Sequence, residues 1–123
     1  GSPRKNNEDI LPDTPLSEVE KMLENVDADV VLCGHTHIPC GFQTESRKTV
    51  VNAGSIGRTF FVEPNSYPKA CYLIIEVDNG SCVFQHQFVE YDKEQASEKL
   101  AAREFEGADK LAGMLINPEI RHF

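Results

Sequence analysis

The octapeptide Cys33-Gly-His-Thr-His-Ile-Pro-Cys40 carries the strongest structural signal in the chain. It continues a short, nearly all-apolar run at residues 29–33, which predicts a strand covered on both faces of a sheet. Gly34 permits a sharp turn directly after that strand. His35 and His37 then stand one residue apart, so a turn can direct both imidazoles into one small volume. Because neutral imidazole is the commonest side-chain ligand of metal ions, we predict a metal site here.

A second glycine-rich turn follows at Asn52-Ala-Gly-Ser-Ile-Gly57. The seventeen positions from His35 to Asn52 are enough for one strand out and one strand back, so we expect this turn to lie beside the first. Backbone N–H groups in such a bend can face an anion. Arg58 comes next and has two interpretations: a contact to a substrate phosphate, or an ordinary solvated or paired arginine.

The cysteines allow a competing interpretation of the first turn. Cys33, His35, His37 and Cys40 could form a structural tetrahedral zinc site. Cys33, however, continues an apolar strand, and four-ligand sites usually draw on two separated pairs. We expect these two cysteines, together with Cys71 and Cys82, to be reduced thiols in a cytoplasmic protein.

Periodicity and turn residues predict the other elements. The predicted helices cover residues 17–25, 93–106 and 108–116, and the predicted strands cover residues 29–33, 41–45, 48–52, 70–77 and 81–91. Ser17 and Glu20 have the spacing of a capping box. Asp78-Asn-Gly80 predicts a tight hairpin, Asp92 an N-cap, and Gly107 the end of a helix.

Composition limits the function. The chain has 123 residues, enough for one domain, with 20 acidic and 12 basic residues and a net charge of −8. This balance argues against a broad basic surface for nucleic acid, although bound metal ions would still allow a phosphate substrate. No apolar run approaches the ~20 residues of a membrane span, and no signal peptide is visible. We therefore expect neither a membrane nor a nucleic-acid partner.

Both turns also match a known family. Gly34-His-Thr-His37 followed by Asn52-Ala-Gly-Ser55 resembles the last two signatures of the calcineurin-like metallophosphoesterases, and is most similar to the small bacterial and archaeal phosphodiesterases. The later strands and helices resemble the C-terminal half of that family. One departure is Ala53, where the family usually has proline.

The resemblance implies an α/β (α+β) fold, in which residues 1–123 are the C-terminal portion of a single four-layer α/β/β/α sandwich. The Asp-x-His, Gly-Asp-x-x-Asp and Gly-Asn-His signatures of the family do not occur here. We therefore expect the N-terminal metal-binding half, with its general acid, to be a missing partner of this chain. In the family a further metal-binding histidine directly precedes a Gly-x-Pro like Gly1-Ser-Pro3, although Gly1-Ser2 could equally be a remnant of cloning.

The resemblance also implies a binuclear site and an activity. His35 would bind one divalent ion and His37 another, with Mn, Fe, Zn or Ni as candidates. The site-shaping or substrate-contacting residues would be Gly34, Asn52, Gly54, Ser55 and Arg58. The implied function is hydrolysis of a small phosphoester, as a phosphodiesterase or phosphatase, with the fragment alone inactive. A non-catalytic scaffold of the same fold, as in retromer, is the alternative, and a homo-oligomer stays possible.

Overall fold

A computed structural model of the chain describes residues 1–59 and 69–118. The elements follow the order α1 (Leu16–Met22), β1 (Val30–Cys33), β2 (Cys40–Gln43), β3 (Thr49–Asn52), β4 (Ala70–Asp78), β5 (Ser81–Val89), α2 (Lys93–Ala101) and α3 (Ala108–Ile116). This mixture of helices and strands in small sheets confirms the predicted α/β class. No helix in these two ranges has the length and apolar character needed to cross a membrane.

The first sheet brings the two glycine-rich turns together. Its strand order is β1-β3-β2, with β1 parallel and β2 antiparallel to β3. Cys33 at the end of β1 is paired with Asn52 at the end of β3. Since parallel strands end at the same edge of a sheet, the two turns leave the sheet side by side, as their spacing predicts.

Helix α1 covers one face of this sheet. Val19, Met22 and Leu23 pack with Ile10 and with Val50 of β3 to form the core. Val50 and Val19 are both 0% exposed. Burial of apolar side chains of this size contributes about 1.5–3 kcal/mol each, so this contact holds α1 to the sheet.

The predicted capping box of α1 is wrong. The helix begins at Leu16, one residue before Ser17, with Pro15 at the N-cap position and no side-chain cap. The Pro15 carbonyl accepts from the N–H groups of Glu18 and Val19 at 2.8 and 3.2 Å, which places Ser17 inside the first turn. Glu20 instead accepts from Ser46 N at 3.3 Å and Ser46 Oγ at 3.0 Å. The helix also ends at Met22, before the predicted Asn25.

The β4–β5 hairpin forms the next layer. Asn79 and Gly80 have φ of 46° and 80°, which confirms the tight hairpin predicted there. Cys71 and His86 are on the hairpin face toward the first sheet: Cys71 N donates to Ser55 O at 2.8 Å and His86 Nε2 to Asn52 O at 2.7 Å. The opposite face lines a groove with α2 and α3. The hairpin therefore contacts the first sheet and its second turn on one side and borders α2 and α3 on the other.

The predicted helix at residues 93–106 is too long. Helix α2 ends at Ala101, and Gly107, with φ of 86°, precedes α3 and does not end α2. Helix α3 packs back against α2, where Ser97 Oγ donates to Ala112 O at 2.9 Å. This packing requires a turn between the two helices, and it overrides the local helix propensity of the residues after Ala101. The cap at Asp92 is confirmed, since its carboxylate accepts from Gln95 N.

Coverage of β1 differs from the prediction. This strand is at the edge of the sheet formed by the described residues, and Leu32 is 55% exposed. The expected burial on both faces is therefore not observed for Leu32. The reason is geometric: α1 covers the face that carries Val31 and Cys33, and Leu32 points to the opposite face because side chains alternate along a strand.

Candidate functional site

The two histidines of the first turn adopt an uncommon backbone conformation. His35 and His37 have φ of 75° and 63°, in the left-handed region that non-glycine residues seldom occupy. Gly34 does not have a positive φ, and a Cβ added there would meet no atom within 4 Å. The sharp bend that we assigned to Gly34 is therefore made by the histidines themselves. Such conformations cost about 1–3 kcal/mol each and concentrate at functional sites.

Between these histidines, Thr36 was missed by sequence reasoning. It is 1% exposed, as is Ile38, whereas the His35 side chain is 45% exposed. The left-handed residues thus alternate with buried residues, which fixes the turn to the body of the protein. Hydrophobic periodicity carries no signal for this residue, because Thr36 is polar like the histidines on either side of it.

Asn52 connects the two turns. Its side chain is fully buried, and Nδ2 donates to Gly34 O at 3.1 Å and to Thr36 Oγ1 at 2.9 Å. Its Oδ1 accepts from Gly54 N at 3.0 Å. One amide side chain therefore holds the shape of the histidine turn and of the second turn at once.

The second turn fixes the ring of His37. His37 Nδ1 lies 3.1 Å from the backbone carbonyl of Arg58, and Arg58 N donates to Ser55 Oγ at 3.0 Å. A carbonyl only accepts, so His37 Nδ1 must donate, which places the lone pair of the ring on Nε2. Metal-binding histidines typically donate their second ring N–H to such an oxygen. The structure thus brings Arg58 to the site through its main chain.

An anion-facing role for the backbone of this turn has less support than the sequence suggested. The N–H groups of Ala53 and Gly54 donate to Cys33 O at 3.3 Å and to Asn52 Oδ1 at 3.0 Å. Arg58 N is engaged by Ser55. The turn uses these donors to stabilise itself, and its clearest contribution to the site is the orientation of His37.

Gly54 is required by its surroundings. Its φ is 79°, and an added Cβ would lie 2.9 Å from Cys71 Sγ and 3.0 Å from Cys71 Cβ. We expect Gly54→Ala to destabilise the protein by about 1–3 kcal/mol, from left-handed backbone strain and overpacking. Gly57→Ala is the matched control, because a Cβ there meets nothing within 4 Å. Urea denaturation of both variants tests this, and equal midpoints would contradict the steric account.

Residues 1–9 approach the histidine turn through Gly1 and Asp9. The Gly1 amino group donates to Gly34 O at 3.1 Å, and a Cβ at Gly1 would lie 2.5 Å from Asn6 O. Ser2 Oγ accepts from the N–H groups of Arg4 and Lys5 at 3.1 and 3.2 Å. These contacts of Ser2 stabilise a local turn in this segment.

The four donors of the alternative zinc site do not converge. No group of three or more His, Cys, Asp or Glu side chains suited to a metal occurs within residues 1–59 and 69–118. Burial raises the pKa of the Cys33 thiol, and raises that of Cys40 to about 11. Both cysteines, like Cys71 and Cys82, are free thiols. The zinc-staple interpretation is therefore wrong for this structure.

Comparison with known proteins identifies the family. No curated protein matches the chain. The model of the calcineurin-like phosphoesterase superfamily domain matches residues 10–80, more than half of the chain and a range that includes both turns. The chain therefore belongs to the calcineurin-like phosphoesterase superfamily.

Proposed function

We propose that this chain is part of a metal-dependent phosphoesterase, in which His35 and His37 each bind one of two divalent metal ions. The observation that carries the proposal is the pair of left-handed histidines in the first turn, beside which the second turn holds His37 Nδ1 through Arg58 O at 3.1 Å. Family membership supports phosphoester hydrolysis as the reaction class. The expected substrate is a small phosphodiester or phosphomonoester.

The imidazoles of His35 and His37 are suited to be two of the ligands of such a metal centre. Neutral imidazoles suit Zn, Fe and Ni, and the tautomer favoured by Arg58 O gives His37 a lone pair on Nε2 for a metal. Two imidazoles are too few for a binuclear site, so further ligands must come from residues other than these. When bound, the ions would polarise phosphoryl oxygens and neutralise developing charge. The Arg58 side chain is our candidate for contact with the substrate phosphate.

We also propose that residues 1–123 are the C-terminal portion of one domain, completed by an N-terminal half that carries the remaining ligands and the general acid. One observation supports this. Leu32 on the edge strand β1 is 55% exposed and lines a cleft with Leu73 and Ile75, and natural folds cover such edges.

Chelation tests the activity. The full-length protein should hydrolyse an artificial phosphodiester such as bis(p-nitrophenyl) phosphate, lose that activity with EDTA, and regain it on addition of Mn²⁺, Zn²⁺ or Ni²⁺, because the ions supply most of the charge stabilisation. Full activity in a preparation shown to be metal-free would contradict the proposal. A protein that binds no metal and hydrolyses nothing would favour the scaffold alternative.

A further inference from the structure

We propose that Asp9 is a positioning residue that orients the imidazole of His35 for metal binding; this inference rests on the proposed function. Asp9 Oδ1 lies 3.5 Å from His35 Nε2, and the two side chains are 49% and 45% exposed. Asp9 is 26 positions before His35 in the chain. The contact therefore depends on the folded structure and not on proximity in the sequence.

The backbone on both sides of Asp9 is fixed. Ile10, the next residue, is 1% exposed in the core beneath α1. Glu8, the preceding residue, accepts from Arg4 Nε at 3.1 Å and from Ser2 Oγ. Because both neighbours are anchored, the half-exposed Asp9 carboxylate is held at the side of the histidine turn.

His35 has a left-handed φ of 75° and an exposed side chain, whereas Thr36, which follows it, is buried. A carboxylate beside Nε2 favours the tautomer with the proton on Nε2, which leaves the lone pair on Nδ1. Carboxylate–histidine–metal arrangements orient ligands in this way.

The two histidines would then present opposite ring nitrogens. His37 is hydrogen-bonded at Nδ1 to Arg58 O and would bind through Nε2, whereas His35 has Asp9 Oδ1 3.5 Å from its Nε2 and would bind through Nδ1. Residues two positions apart in one turn can in this way serve two different ions. Asp9 supplies the orientation for one ion, and the second turn supplies it for the other.

The experiment compares Asp9→Ala and Asp9→Asn with the matched control Asp13→Ala in the full-length protein. Asp13 is an exposed acid in the same segment, so its removal makes the same change in charge. The first measurement is the tautomer of His35 by ¹⁵N NMR of metal-free protein. We expect wild type and Asp13→Ala to carry the proton on Nε2, and Asp9→Ala to show a mixture of tautomers.

The second measurement is metal affinity for Zn²⁺ by competition with a chelator. We expect Asp9→Ala to weaken binding by about 10–100-fold, the usual effect of losing an outer-shell partner, and Asp13→Ala to bind like wild type. Asp9→Asn keeps an acceptor oxygen and should fall between them, which gives a folded variant if Asp9→Ala is unstable. An unchanged tautomer in both Asp9 variants, or an equal loss of affinity in Asp13→Ala, overturns the role of Asp9. If wild type binds no metal, the proposed function fails, while the metal-free NMR measurement still decides whether Asp9 orients His35.

Discussion

Replacing His35 or His37 by alanine in the full-length protein should lower the rate of phosphodiester hydrolysis by about 100-fold or more, since each change removes a direct ligand and even outer-shell changes cost about 10–100-fold. The fold should survive, because neither histidine is in the core: the His35 side chain is 45% exposed and His37 is half-buried. Steady-state rates and circular dichroism on the same preparations measure both effects.

His86→Gln is the control for these variants. His86 is half-buried on β5 and its Nε2 donates to Asn52 O at 2.7 Å, so it is a hydrogen-bonded histidine between the hairpin and the first sheet. Glutamine can still donate a hydrogen bond, and we expect some loss of stability with metal content and rate near those of wild type. If either alanine variant keeps the full rate, the assignment of that histidine is wrong.

Asn52→Ala should produce the largest loss of stability. The substitution removes the donors to Gly34 O and Thr36 Oγ1 and the acceptor for Gly54 N. Asn52 is 0% exposed, so water cannot replace these contacts without rearrangement of the turns. Buried groups left without partners cost about 1–3 kcal/mol each. Because the missing side chain also leaves a cavity, we expect the free energy of unfolding to fall by about 3 kcal/mol or more in total.

Chemical denaturation measures this loss, with Asn25→Ala as the matched control. Asn25 is exposed just after α1, and substitutions at such positions usually change stability by less than about 0.5 kcal/mol. Similar free energies of unfolding for the two variants would contradict the role that we give Asn52 in joining the turns.

The sequence predicted the arrangement of the two turns because that arrangement follows from strand order. The apolar run before His35 and the distance to Asn52 allow a strand out and a strand back, and the register of Cys33 with Asn52 confirms the result. The start of α1 was predicted incorrectly because Pro15 supplies the first helical carbonyl acceptor before Ser17 is reached. The end of α2 was missed because the packing of α3 against it, a tertiary effect, overrides local propensity.

The finer geometry of the site was not accessible from sequence pattern. Glycine was the expected residue for a left-handed turn, yet His35 and His37 adopt that conformation, held by buried contacts through Asn52 and Thr36. The contact of Asp9 with His35 joins residues from separate segments. Such contacts depend on how the loops pack, which hydrophobic periodicity does not encode.

Metal content is the most direct test of the central claim that the histidine turn is half of a binuclear metal centre. Elemental analysis of the purified full-length protein, with the two alanine variants alongside, measures it. We predict about two divalent ions per wild-type chain and about one in each of His35→Ala and His37→Ala, because each histidine serves a different ion. A wild type without metal, or an alanine variant that retains two ions, would contradict the account.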